Sequence, residues 1–142
     1  MEQGDFVKIG KTEFENEILK FEYTIEEAIE KYQPNAVFIS SVLMYLEKPY
    51  DVLMDIFKSG IPHIMIDRTP FIPSEEDRLT VQIVPPKIYK ASYPCWLFSE
   101  KKFLNFTEMY ARFVKEFPAL DKINILDCQY KGMIFENRII KN

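Results

Sequence analysis

Two pairs of adjacent polar residues, Ser40-Ser41 and Asp67-Arg68, each follow an uninterrupted apolar run, Ala36–Ile39 and Ile64–Ile66. A carboxylate placed like Asp67 can take a proton from an attacking group, and the Arg68 guanidinium can hold a carboxylate or phosphate through its fixed fork of donors. The same residues have plainer uses. Adjacent serines cap helices and close turns, and Asp67-Arg68 can form an ion pair that fastens the following segment, with Asp77 or Arg78 as further partners. Further along, Tyr89, Tyr93 and Trp96 can either stack on a sugar or other ring or simply pack under a loop. Tyr93 is the candidate for ligand contact, and Trp96 is read as packing. His63 is the single histidine, so histidine metal clusters and a Ser-His-Asp triad have almost no support.

The elements that must position these groups follow from the pattern around them. Continuous apolar runs suit parallel strands covered on both faces. Pro49 suits the first turn of a helix and Gly60 its stop. Ala36 to Ile66 thus reads as strand, helix, strand, with the polar pairs at strand ends, where ligands collect in open parallel sheets. Upstream, Thr24-Ile-Glu-Glu27 has the form of a capping box. Ile25, Ala28, Ile29 and Tyr32 make the apolar stripe of its helix, and Pro34 ends it. Leu19–Tyr23 alternates and is read as a further strand, giving β-α-β-α-β from Leu19 to Ile66 with right-handed crossovers. Asp5–Phe14 reads as a short helix weakened by Gly10.

From Thr69 to Phe98 prolines and aromatics alternate with no period, which predicts a long irregular loop of the kind that serves as a lid or binding segment. Ser99 begins a helix over roughly Glu100–Tyr110. Arg112–Phe117 and Tyr130–Asn137 are candidate strands, the second interrupted by Gly132.

Composition narrows the functions. With 142 residues the chain is expected to form one domain. Its 47% hydrophobic and 15% aromatic content is that of a packed globule. A net charge of −4 argues against bulk binding to nucleic acid or anionic membrane. No run approaches the ~20 apolar residues of a bilayer span. Cys95 and Cys128 fit no metal or redox spacing and read as reduced thiols of a cytoplasmic protein.

Ser40-Ser-Val-Leu-Met-Tyr-Leu-Glu-Lys-Pro-Tyr50, Ile66-Asp-Arg-Thr-Pro-Phe71, Asp77-Arg-Leu-Thr-Val-Gln-Ile-Val-Pro-Pro86, Ala91-Ser-Tyr-Pro-Cys-Trp96 and Tyr130-Lys-Gly-Met-Ile-Phe135 together resemble a bacterial family of S-adenosylmethionine-dependent methyltransferases. The resemblance spans nearly the whole chain. It implies a Rossmann-like class I methyltransferase fold, with S-adenosylmethionine over the first strands and the methyl acceptor, a small molecule or saccharide, beyond the fourth and fifth. On that reading Ser40 and Ser41 lie near cofactor and acceptor, and Glu2 matches the acidic residue that binds the cofactor ribose. Tyr45 then points into the pocket, to hydrogen-bond an acceptor hydroxyl or help remove its proton; otherwise it is a core tyrosine beside Leu43 and Leu46.

The family's opening strand and glycine-rich turn have no counterpart among glycines 4, 10, 60 and 132. The chain therefore resembles the C-terminal part of such an enzyme: a mixed α/β sheet of about five strands with helices on both faces, lacking the first strands. Cofactor binding and activity by this chain alone are not expected, and a non-catalytic binding or regulatory module is the alternative. The exposed edge of the central strand Ala36–Ile39 is expected to pair with Leu19–Tyr23, or to be covered by a homodimer or a partner chain.

Overall fold

The computed structural model describes residues 4–121 and 127–139. Its contacts divide into two compact units, Met1–Pro34 and Asn35–Asn142. In the first, α1 (Gly4–Ile9) runs on into a wider π turn (Gly10–Phe14), and α2 (Ile25–Tyr32) follows after an irregular stretch. The capping box is formed: Thr24 Oγ1 accepts from the Glu27 amide, and the Glu27 carboxylate accepts from the Thr24 amide. Glu22 ties the unit together, accepting from Lys11 Nζ at 2.8 Å and from Lys31 Nζ and Tyr32 Oη at 2.7 Å.

Lys11 first, then Lys31 and Tyr32, hold the Glu22 carboxyl down from an ordinary 4.5 to about 2. A group whose pKa is lowered by folding stabilises the fold above its unfolded value, and that contribution fades as pH falls toward the folded one. Protection of the α2 amides from exchange, relative to their intrinsic rates, should therefore fall between pH 4.5 and 2, and Glu22→Gln should flatten the dependence. An equally steep profile in the variant would place the acid sensitivity elsewhere.

The second unit is built on one sheet of six strands: β1 (Ala36–Ser40), β2 (His63–Ile72), β3 (Arg78–Ile83), β4 (Ser92–Ser99), β5 (Ala111–Pro118) and β6 (Gln129–Asn137). β1 lies parallel to the first half of β2, from Ala36 opposite His63 to Ser40 opposite Asp67. Between them runs α3 (Pro49–Ser59), with proline in its first turn and Gly60 at φ 85° as its left-handed stop. Its Leu53, Ile56 and Phe57 are buried. β6 pairs antiparallel to β2, and β5 antiparallel to β6. The β3–β4 hairpin joins the far end of β2 through Phe71–Phe98 and Ile72–Ser99.

Helix α4 (Glu100–Glu108) follows, capped by Ser99, whose Oγ accepts from the Lys102 amide at 3.1 Å. Phe71, Phe98 and Phe103 are fully buried and meet edge-on or tilted, with Phe71 and Phe103 centroids 5.1 Å apart. The mixed α/β sheet expected from the sequence is the one observed.

Three expectations need correction. Leu19–Tyr23 is not a strand. Asn16 folds the chain back locally, its Oδ1 accepting from the Ile18 and Leu19 amides, while Phe21 packs on Gly10 and Glu22 turns to its lysines. It therefore does not pair with β1, whose one strand neighbour among the described residues is β2. The 69–98 segment is not one irregular loop either, since it holds the end of β2, all of β3 and most of β4. Finally, β2 does not stop at Asp67 but runs on to Ile72, so Asp67-Arg68 sit within a strand.

Candidate functional site

A bulge in β2 creates the site. Ile66 pairs with Met133 and Thr69 with Lys131, so Asp67 and Arg68 together face the single residue Gly132. Such a bulge leaves one residue without a ladder partner and re-aims the side chains beside it. Arg68 takes φ 52°, a left-handed conformation uncommon for a residue with a long side chain. Its amide donates to Asp67 Oδ1 at 2.7 Å. The Asp67 carbonyl accepts from the Ser41 amide and the Thr69 hydroxyl, both at 3.2 Å. Ser41 is itself left-handed at φ 55°. Ser40, Ser41, Asp67 and Arg68 are thus brought together by backbone geometry alone.

The Arg68 guanidinium is engaged by Asp121, with Nε–Oδ2 at 2.7 Å and Nη2–Oδ1 at 2.8 Å. This ion pair is with neither Asp77 nor Arg78. The guanidinium holds the Asp121 carboxyl below its usual range. Around the pair is a concavity of about 420 Å³, walled by Phe117, Leu120 and their neighbours as well as by Asp67, Arg68 and Asp121. Gly132 shapes this wall: a Cβ there would run into the Phe117 ring, which lies across it from β5.

Tyr45, at the end of a 3-10 turn over Leu43–Tyr45, belongs to a second group. Its hydroxyl donates to Gln82 Oε1 at 3.1 Å, and its ring meets Tyr93 edge-on at 5.3 Å. Burial first, then the neighbouring Cys95 and Tyr93, push the Tyr45 phenol up to about 12. At neutral pH it is therefore a hydrogen-bond donor and not a base. Tyr130, on β6, is also pushed to about 12 by burial, with Cys95, Tyr45, Cys128 and Asp121 near enough to oppose its ionisation. Gln82, Asp121 and Tyr130 were not among the sequence candidates. Gln82 and Tyr130 left a trace there, each within a segment that carries the resemblance, and Asp121 left none. Trp96 is a packing residue whose Nε1 donates to the Leu46 carbonyl at 3.0 Å. His63 opens β2 opposite Ala36 and Glu136. Glu2 lies outside the described residues.

A second concavity of about 450 Å³ opens at the start of α3, lined in part by Tyr50, Asp77, Trp96 and Lys102. Three of its polar groups, Tyr50, Asp77 and Lys102, are already joined to one another. Asp77 accepts from Tyr50 Oη at 3.1 Å and from the Ser99 amide at 2.8 Å, and Lys102 Nζ lies 3.1 Å from it.

The residues present do not fit an S-adenosylmethionine cradle, which needs glycine where backbone approaches the cofactor. Gly10 and Gly132 make room for Phe21 and Phe117, Gly60 stops α3, and Gly4 opens α1 with nothing near it. Among the described residues no group of His, Cys, Asp and Glu could hold a metal ion, and no helix is long and apolar enough to cross a membrane.

No protein-family model matches the sequence, and no curated protein does. Among solved structures the chain is similar to the N-terminal domain of EvdMO1, crystallised in the presence of SAH and D-fucose. The TM-score is 0.47 and the identity 13%, over 72% of this chain and 47% of that one. The chain thus spans about half the length of the structure it matches.

Proposed function

We propose that this chain is the acceptor-binding half of a methyltransferase-like fold, holding a small-molecule or saccharide acceptor over the ends of β1 and the bulge of β2. The observation that carries this reading is the juxtaposition of Ser40 with Asp67 across parallel strands, with Arg68 beside them at a small-molecule-sized concavity. Asp67 is the candidate proton acceptor, Arg68 and Tyr93 are candidate acceptor contacts, and Tyr45 serves as a neutral donor. Ser40 and Ser41 are the candidates nearest a cofactor.

The cofactor itself, on this reading, requires a glycine-bearing turn that the described residues do not supply, and the segment bearing it would also cover the edge of β1 that has no strand neighbour among the described residues. A non-catalytic binding module that keeps only the acceptor pocket is the second reading, favoured by the commitment of Gly10, Gly60 and Gly132 to packing and capping. Calorimetric titration of the chain with S-adenosylmethionine and S-adenosylhomocysteine is expected to give no saturable heat. Micromolar binding would overturn the division of labour, since this chain would then hold the cofactor unaided.

A further inference from the structure

We propose that Arg68 is a receptor for a monocarboxylate ligand with an apolar body, and that Asp121 occupies it as an internal placeholder. The inference deepens the acceptor-pocket reading and rests on it only for identifying the ligand as the acceptor.

Four observations converge. Arg68 holds a left-handed backbone conformation at a bulge, a strained arrangement that persists only where the surroundings fix it. That strain aims a guanidinium, and the group it meets is a planar carboxylate bound by two short parallel bonds, the geometry for which the arginine fork is suited. Both partners are partly open to solvent, 49% for the Arg68 side chain and 28% for Asp121. A pair this open can be reached from solvent, and another carboxylate in place of Asp121 would make the same two bonds. Phe117, Pro118, Ala119 and Leu120 are the apolar residues that line the surrounding concavity of about 420 Å³, which suits an aromatic or aliphatic body.

Charge selects among anions. Asp67 lines the same space and its carboxylate is bonded to the Arg68 amide. A dianionic phosphate would face that second negative charge, whereas a monocarboxylate reproduces the arrangement already present. Hydrophobic monocarboxylic acids are therefore favoured over phosphorylated ligands.

Saturation-transfer NMR on the full chain tests this, with phenylacetate as the probe, 2-phenylethanol as its neutral analogue and inorganic phosphate as competitor. Phenylacetate is expected to bind saturably and 2-phenylethanol not. Asp121→Asn and Asp121→Ser remove the placeholder and should tighten phenylacetate by up to about fivefold. Arg68→Lys should abolish saturable binding, since an ammonium cannot offer the fork. Unchanged or weaker binding in both Asp121 variants would make Asp121 a structural pin and overturn the proposal. Binding that survives Arg68→Lys, displacement by equimolar phosphate, or an unsaturable wild-type signal would each do the same. No cofactor is present in these titrations. A failure here removes the carboxylate assignment alone, while the acceptor-half reading stands or falls with the cofactor titration.

Discussion

Replacing Asp77 by alanine is expected to destabilise the larger unit by about 3 kcal/mol, lowering its melting temperature by about 10 °C. The carboxylate is almost enclosed, with 7% of its side chain exposed. It joins three elements, taking hydrogen bonds from Tyr50 in the first turn of α3 and from the Ser99 amide at the cap of α4, while Lys102 of α4 lies against it. Removing it leaves the Ser99 amide and the Tyr50 hydroxyl without their acceptor, and an unmet donor in a closed setting costs more than the bond itself contributed. Tyr50 cannot compensate by ionising, because burial, the largest cause of its raised pKa, remains in the variant. Asp77→Asn retains the acceptor oxygen for Tyr50 and Ser99 but loses the charge and the second oxygen beside the more exposed Lys102, so it should cost less than the alanine variant. Urea unfolding of both variants gives the comparison; equal losses would mean that the charge, and not the acceptor, holds the junction.

The second large effect is expected at Phe103. Its ring is fully buried, 5.1 Å from Phe71 and 5.8 Å from Phe98 between centroids, with Tyr50 also in contact. It is the main anchor of α4, of which Phe103 and Thr107 alone are buried. Phe103→Ala should cost about 3–5 kcal/mol, because the surrounding rings are held by strands on several sides and cannot close the cavity. Phe103→Leu keeps most of the volume and should cost less than about 1.5 kcal/mol. Equal losses in the urea midpoints of the two variants would refute the volume argument.

What the sequence disclosed was mostly local. The capping box at Thr24 and Glu27, the helix bounded by Pro49 and Gly60, and the cap at Ser99 depend on residues within a few positions of each other. The apolar runs of β1 and β2 were equally legible, and with them the adjacency of Ser40 and Asp67. The β3–β4 hairpin was hidden by its own prolines. Pro94 sits in β4 opposite Val81, where β2 has not yet joined on the other side, so its missing donor costs no ladder bond there. The bond from Arg68 to Asp121 spans 53 residues, and that from Tyr45 to Gln82 spans 37. Neither has a local signature. The bulge was invisible for the same reason, since it exists only in relation to Gly132 on a strand far along the chain.

That bulge has a consequence for how the site could be gained or lost. On either side of it the pairing is regular: Ile64 with Phe135 and Ile66 with Met133 before, Thr69 with Lys131 and Phe71 with Gln129 after. Deleting Arg68 alone would let Asp67 pair with Gly132 and would leave each of those partners facing the same neighbour. Side chains alternate along a strand, so a one-residue change within a plain ladder would turn every later residue over; here the extra residue is absorbed where it stands. The core is thus indifferent to the presence of the arginine. In evolutionary terms, a single codon separates a sheet that bears this site from one that does not, and either sequence keeps the same interior.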